Sequence, residues 1–256
     1  MPGFGGKPGV VLIAFLASVG VHADTLTVAV ASNFAETLRV IASNFEEQTG
    51  HEVRVIQGSS GKLYAQIVNG APFDVFLSAD LRRPEMLEAQ SLTVDGSGFT
   101  YAVGQLVLWS RDSDFADGAC LDGLQKLGKK KLAIANPLLA PYGVAAKEYL
   151  VASGLWDEVQ GNLVYGENVA QTLQYAATGN ASIAMIANSQ LEQAKRFDGV
   201  CALPIAAGAH SEILQQVVEL AAASDAVLAG QFLEFLRGPG SRAIISAHGY
   251  LLPELQ

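Results

Sequence analysis

Along the chain, short apolar runs alternate with stretches whose apolar residues recur at helical spacing, and this alternation predicts most of the elements. Leu26 to Ala31 is apolar almost throughout and rich in β-branched residues, as a strand buried on both faces should be. Phe34, Leu38, Ile41 and Phe45 then recur on one helical face. Asn33 stands as its cap, with Glu36 three residues on in a capping-box pattern and Gly50 at the exit. The unit repeats with a strand over Glu52 to Gln57, a tight turn Gly58-Ser59-Ser60-Gly61, a short helix over Lys62 to Val68 and a third strand over Phe73 to Ser78. Such a βαβαβ series implies a mostly parallel sheet flanked by helices.

From Phe99 the texture changes, because Tyr101 to Trp109 is a long extended run with no helix directly after it. It reads as a crossover between two lobes. The strand-loop-helix rhythm restarts with Leu132 to Ala135, the loop through Pro137 and Pro141, and a helix from near Gly143. It restarts again with Leu163 to Tyr165 and a helix capped by Asn168 that runs to Ala177, then a strand over Ser182 to Ile186 and a helix from about Asn188. Cys201 to Ile205 and Gln216 to Leu220 read as strands, the second returning the chain to the first lobe, where Ala226 to Leu236 and Gly240 to Ala247 close it with helices. The expected organisation is α/β, with residues 24–103 and 208–256 forming one lobe and residues 104–207 a second lobe inserted in it. One continuous doubly wound domain is the alternative that periodicity leaves open.

Composition narrows the setting. Lys7 precedes an apolar run from Val10 to Val21, and Val21-His22-Ala23 offers small residues for cleavage, so residues 1–23 read as a signal peptide. The run is roughly 12 residues where a bilayer span needs roughly 20. The formal charge of −9 argues against nucleic acid and anionic lipid as partners, and Lys129-Lys130-Lys131 is too short to change that. Cys120 and Cys201 are the only cysteines; in an exported chain they form a disulfide or remain two buried thiols, and their spacing matches no metal site.

The candidate chemistry lies where strands meet helices. In open parallel sheets, ligands sit beyond the carboxyl ends of strands, where helix N-termini present unpaired N–H groups. Ser32-Asn33, Ser59-Ser60 and Asn168-Val169 fall at such junctions, and Tyr142 lies beside another. An anion there gains from hydroxyls, amides and helix dipoles without a cationic partner. A fully deprotonated tetrahedral dianion satisfies such donors, whereas an oxyanion that keeps a proton directs a donor at donors. Each residue also has a local role open to it: Ser32, Asn33 and Asn168 as helix caps, Ser59 and Ser60 as turn residues, Tyr142 as packing.

At these residues the chain resembles the periplasmic molybdate-binding proteins of ABC transport systems. The resemblance is carried in order by Ala31-Ser32-Asn33-Phe34, Gly58-Ser59-Ser60-Gly61, Gly70-Ala71-Pro72-Phe73-Asp74, Ser78-Ala79-Asp80, Phe99-Thr100-Tyr101-Ala102-Val103-Gly104, Ala140-Pro141-Tyr142-Gly143 and Gly249-Tyr250-Leu251. It runs from about Leu26 to Pro253. It implies a two-lobed periplasmic binding protein fold of type II, in which molybdate or tungstate is enclosed between the lobes. It further implies a monomer, located in the periplasm, that docks on the membrane subunits of an ABC permease and carries no cofactor. Carried over residue by residue, the oxyanion ligands are Ser32, Asn33, Ser60, Tyr142 and Val169, the last through its backbone N–H. Ile186 stands where another branch of the family has a tyrosine, so no phenol is expected there.

Competing classes fare worse. A hydrolase built on Ser59 or Ser60 lacks Gly-x-Ser-x-Gly and would need His51, His210 or His248 as a base, none in a triad context. A receptor for sulfate or phosphate is the closer alternative; phosphate near neutral pH retains a proton and calls for a carboxylate acceptor. Asp74 and Asp80 lie near the third strand end, where Asp80 suits capping or orienting better than facing an anion.

Overall fold

The computed structural model describes residues 24–116 and 120–253. The expected signal peptide lies outside them.

The chain folds as two α/β lobes, each built on a five-stranded mixed sheet. The first sheet begins with β1 (Thr25–Ala31), helix α1 (Ala35–Thr49), β2 (Glu52–Gly58), α2 (Ser60–Val68), β3 (Val75–Leu77) and α3 (Arg82–Glu88). Strand β4 (Phe99–Gly104) completes this stretch, and β5 (Leu106–Ser110) begins the second sheet after Gln105 alone. The second sheet continues through α4 (Cys120–Gln125), β6 (Leu132–Ala135), α5 (Pro141–Ala152), α6 (Trp156–Val159), β7 (Leu163–Gly166), α7 (Val169–Ala177), β8 (Ile183–Ala187), α8 (Leu191–Ala194) and β9 (Cys201–Pro204). Strand β10 (Ile213–Glu219) returns to the first sheet, followed by α9 (Ala226–Arg237) and α10 (Pro239–Ala247).

Strand order is β2-β1-β3-β10-β4 in the first sheet and β7-β6-β8-β5-β9 in the second. In each, three parallel strands meet a strand from the crossover region that runs antiparallel: β10 against β3, and β5 against β8. The long run expected over Tyr101 to Trp109 is thus two strands in different sheets, broken at Gln105. Side-chain alternation explains the layering. Val28 and Val30 of β1 face the core under α1 and α9, while Ala29 packs with Phe76 and Leu63 on the opposite face beneath α2. The second sheet buries Leu106 to Trp109, Leu132 to Ala135 and Ile183 to Ala187 in one continuous core, which also takes in Ala31, Ala79 and Ile213 from the first. The two lobes are therefore in apolar contact at the joint.

Two local expectations are corrected. Helix α1 is capped at Phe34, not Asn33, and has no side-chain cap; Glu36 pairs with Arg39, so no capping box forms. The Asn33 amide is withdrawn into a buried network described below. The helix expected from Asn188 is a 3-10 turn (Asn188–Gln190) followed by the single turn of α8. Asn188 Nδ2 is tied to the Gly249 carbonyl at 2.8 Å and the Gln190 amide to the Ala187 N–H at 3.0 Å and the Val169 carbonyl at 3.2 Å, which holds this segment as a connector. Cys120 and Cys201 are joined as a disulfide that ties α4 to edge strand β9.

Candidate functional site

Four strand–helix junctions, with Ala79 beside them, converge on one small cavity. The end of β1 brings Ser32 and Asn33, the start of α2 brings Ser59 and Ser60, the start of α5 brings Pro141 and Tyr142, and the start of α7 brings Asn168 and Val169. Two segments come from each sheet, so the cavity lies between the lobes. The empty space among the lining atoms is about 190 Å³, part of it open to solvent. None of the lining residues carries a carboxylate, ammonium or guanidinium group.

What the lining offers is donors. Ser59 is 2 % exposed and stands at the N-cap of α2, yet its side chain makes no cap hydrogen bond and its hydroxyl has no partner. The Tyr142 hydroxyl is likewise buried without a partner. Ser60 Oγ accepts from the Ala79 N–H at 3.0 Å, which leaves the Ser60 hydrogen to be given away. The starts of α2, α5 and α7 add the first-turn N–H groups that no helix satisfies internally. Pro141 at the first turn of α5 fixes that start without wasting a donor. Burial pushes the Tyr142 phenol well above its ordinary range, with the Tyr250 phenol adding to the effect and the Gln215 amide opposing it. It stays a neutral O–H donor.

The predicted residues divide on inspection. Ser32, Asn33, Ser60, Tyr142 and Val169 all line the cavity. Asn168 does too, but its side chain accepts from the Gln171 N–H at 3.0 Å and so caps α7. Asn33 spends both Nδ2 hydrogens elsewhere, on Gln215 Oε1 at 2.8 Å and the Tyr250 hydroxyl at 3.1 Å. That leaves its main-chain N–H, at the start of α1, as the donor it presents to the cavity. Asp74 faces away, accepting from the Thr27 N–H at 2.6 Å and from Ser224 at 2.7 and 2.8 Å. Asp80 pairs with Arg83 and accepts from Ser78 Oγ at 2.9 Å. Ser59, absent from the expected ligands, lines the cavity beside Ser60 with its hydroxyl unpartnered, and the signal for it was the glycine-flanked pair itself. Gln215, on β10 behind the cavity, had no local signal at all.

Two lobes with a donor-lined cavity between them define the class: a solute-binding protein of the type II periplasmic fold. The model of the family described as bacterial extracellular solute-binding protein matches residues 26–251. The molybdate-binding protein ModA of Azotobacter vinelandii is 42 % identical over 243 residues, spanning 94 % of this chain and 95 % of the relative. That of Rhodobacter capsulatus is 39 % identical over 90 % of this chain and 89 % of the relative. Among solved structures, the Azotobacter vinelandii periplasmic molybdate-binding protein superposes with a TM-score of 0.84 at 40 % identity, over 90 % of this chain and 100 % of that one. The chain belongs to the ModA family of bacterial extracellular solute-binding proteins. Its class is that of a solute-binding transport receptor. Among the described residues no group of three or more His, Cys, Asp or Glu could hold a metal ion, and no helix is long and apolar enough to cross a membrane.

Proposed function

We propose that the protein captures molybdate or tungstate in the periplasm and delivers it to the membrane subunits of an ABC permease. The observation that carries this reading is the cavity's chemistry: buried hydroxyls of Ser59 and Tyr142 without partners, beside helix starts, with no carboxylate in the lining. A tetrahedral dianion supplies acceptors in every direction and needs none in return. Hydrogenphosphate would bring a hydrogen that no lining carboxylate accepts, leaving it unpaired at a cost of about 1–3 kcal/mol. Sulfate is smaller, so donors spaced for the larger anion reach it through stretched and weakened hydrogen bonds. The two ModA relatives, each about as long as this chain, support the choice of molybdate.

In this reading residues 24–103 with 208–256 form one lobe and residues 104–207 the other. Water satisfies the donors while the lobes are apart, and binding shifts the population toward the closed form, in which oxyanion atoms replace that water. Ser32, Ser59, Ser60 and Tyr142 donate through hydroxyls, and Asn33 and Val169 through main-chain N–H groups. Bound metal enters only as the oxyanion's centre, and no resident cofactor is needed. Titration calorimetry against molybdate, tungstate, sulfate and phosphate at one ionic strength tests the proposal. Strong uptake of the first two, with weak or no uptake of the others, is the expected result; binding of phosphate alone rejects it.

A further inference from the structure

We infer that Gln215 is a positioning residue for this site, aiming an amide N–H at the Tyr142 hydroxyl oxygen and so leaving the phenol's single hydrogen for the guest. The inference rests on the oxyanion reading above and deepens it. Gln215 sits on β10 of the first sheet and is completely buried, whereas Tyr142 opens α5 over the second. Its Oε1 accepts from Asn33 Nδ2 at 2.8 Å and from the Tyr101 hydroxyl at 3.0 Å, the nearer of two acceptors for that hydroxyl, the other being the Ser78 carbonyl at 3.2 Å. An amide oxygen has two lone pairs, so these contacts fill it and orient the group. Nε2 is then left on the side toward Tyr142.

Gln215 Nε2 and the Tyr142 hydroxyl are two buried polar atoms without partners, and they crowd the same point. That point is the bare face of Gly104, where a Cβ would stand 2.9 Å from Nε2 and collide with the phenol. The missing side chain is what lets the amide of one lobe approach the phenol of the other. A phenol has one hydrogen to give and can also accept. With Nε2 donating to its oxygen, the O–H turns away from Gln215, and Tyr142 lines the cavity on that other side. A chain of donors then runs Asn33 to Gln215 to Tyr142 to guest. Gln215 thereby favours a dianion over an oxyanion that keeps a proton, without touching either. The reverse order, with both amides turned and Tyr142 donating to Gln215, would deny the guest that hydrogen.

The test is a double-mutant cycle read by titration calorimetry with sodium molybdate: the unaltered protein, Gln215→Leu, Tyr142→Phe and the double variant. Each single change should weaken binding about tenfold, the size of one lost hydrogen bond to a charged acceptor. The double variant should be no weaker than Tyr142→Phe alone to within about twofold, because removing Gln215 matters only through the phenol. Gln215→Leu strips Asn33 of an acceptor and leaves Tyr101 only the Ser78 carbonyl, so if it fails to fold, Gln215→Glu takes its place in the cycle. The carboxylate keeps that acceptor and replaces the donor with a second acceptor; its repulsion of the anion acts in both backgrounds, so with Gln215→Glu the readout is the coupling, in which that repulsion cancels, and the loss should be about tenfold smaller in the Tyr142→Phe background. Losses that simply add, or a Gln215 variant with unchanged affinity, overturn the assignment of Gln215 while leaving the oxyanion reading in place. An unaltered protein that takes up neither molybdate, tungstate nor sulfate overturns both.

Discussion

On the proposed oxyanion reading Ser60 has a hydrogen-bonding duty in each direction, and its neighbour Ser59 has only one. Ser60 Oγ accepts from Ala79 N–H at 3.0 Å, so Ser60→Ala orphans a buried amide as well as removing a donor to the guest. We expect anion binding weaker by about 1–3 kcal/mol together with a lower unfolding temperature of the ligand-free protein. Ser59 Oγ has no partner, so Ser59→Ala should weaken binding by a similar amount while leaving the ligand-free protein as stable or slightly more so. Calorimetry and thermal unfolding, run side by side, separate the two; equal loss of stability in both variants contradicts the assignment. Gly104→Ala puts a methyl group into the Tyr142 hydroxyl and should destabilise by about 1–3 kcal/mol, measured by urea denaturation. Burial raises the phenols of Tyr101, Tyr142 and Tyr250 well above their ordinary range. They keep their hydrogens in neutral and mildly alkaline solution, so molybdate affinity should be flat from about pH 6 to about pH 9. A loss that tracks phenol ionisation within that window would show that Tyr142 is not held as described.

At the scale of the element, the strands were legible and the starts of helices less so. Leu26 to Ala31 and Leu132 to Ala135 announce themselves because both faces of these central strands are buried, which needs an unbroken apolar run. The helix from Asn33 was legible from Phe34, Leu38, Ile41 and Phe45, but its cap was not. Whether Asn33 caps or enters a network depends on Gln215 and Tyr250, which lie 182 and 217 residues away and leave no local pattern. Short elements such as α3, seven residues with Pro84 in its first turn, and the four-residue α6 present too few turns for a period to show. The cysteine pairing was open for the same reason, since only the fold brings α4 beside β9, with Cα atoms 5.9 Å apart. The bond spans 81 residues, and closing a loop of that size in the unfolded chain is worth about 4.5 kcal/mol in the chain-entropy account. Cys120→Ser with Cys201→Ser should therefore lower the unfolding midpoint markedly, yet leave molybdate affinity within about twofold, because neither residue lines the cavity. Large loss of affinity in a folded double variant would mean that the edge of the second sheet reaches the site.

For the molecule as a whole, function depends on how the lobes meet, and two neighbouring contacts allow that to be weighed. Lys62 of α2 pairs with Glu167 before α7 at 2.9 Å, with side chains 52 % and 42 % exposed. A pair so open to solvent contributes about 0–1 kcal/mol, so Lys62→Ala should change molybdate affinity less than about fivefold, and less still at high salt. One residue earlier, the Gly61 N–H donates to the Leu139 carbonyl at 2.8 Å, main chain to main chain across the cleft. A Cβ on Gly61 would stand 2.9 Å from that carbonyl oxygen and 2.9 Å from Arg83 Nη2. The arginine's far end can move aside; a backbone carbonyl at the start of α5 can yield only if the lobes part. Gly61→Ala should therefore weaken binding about tenfold or more, with most of the change in the dissociation rate, since closure follows encounter. Stopped-flow release measurements on the two variants decide between the contacts: a Lys62→Ala protein that releases molybdate as fast as Gly61→Ala would mean that the exposed ion pair, and not the fit of the two backbones, holds the lobes shut.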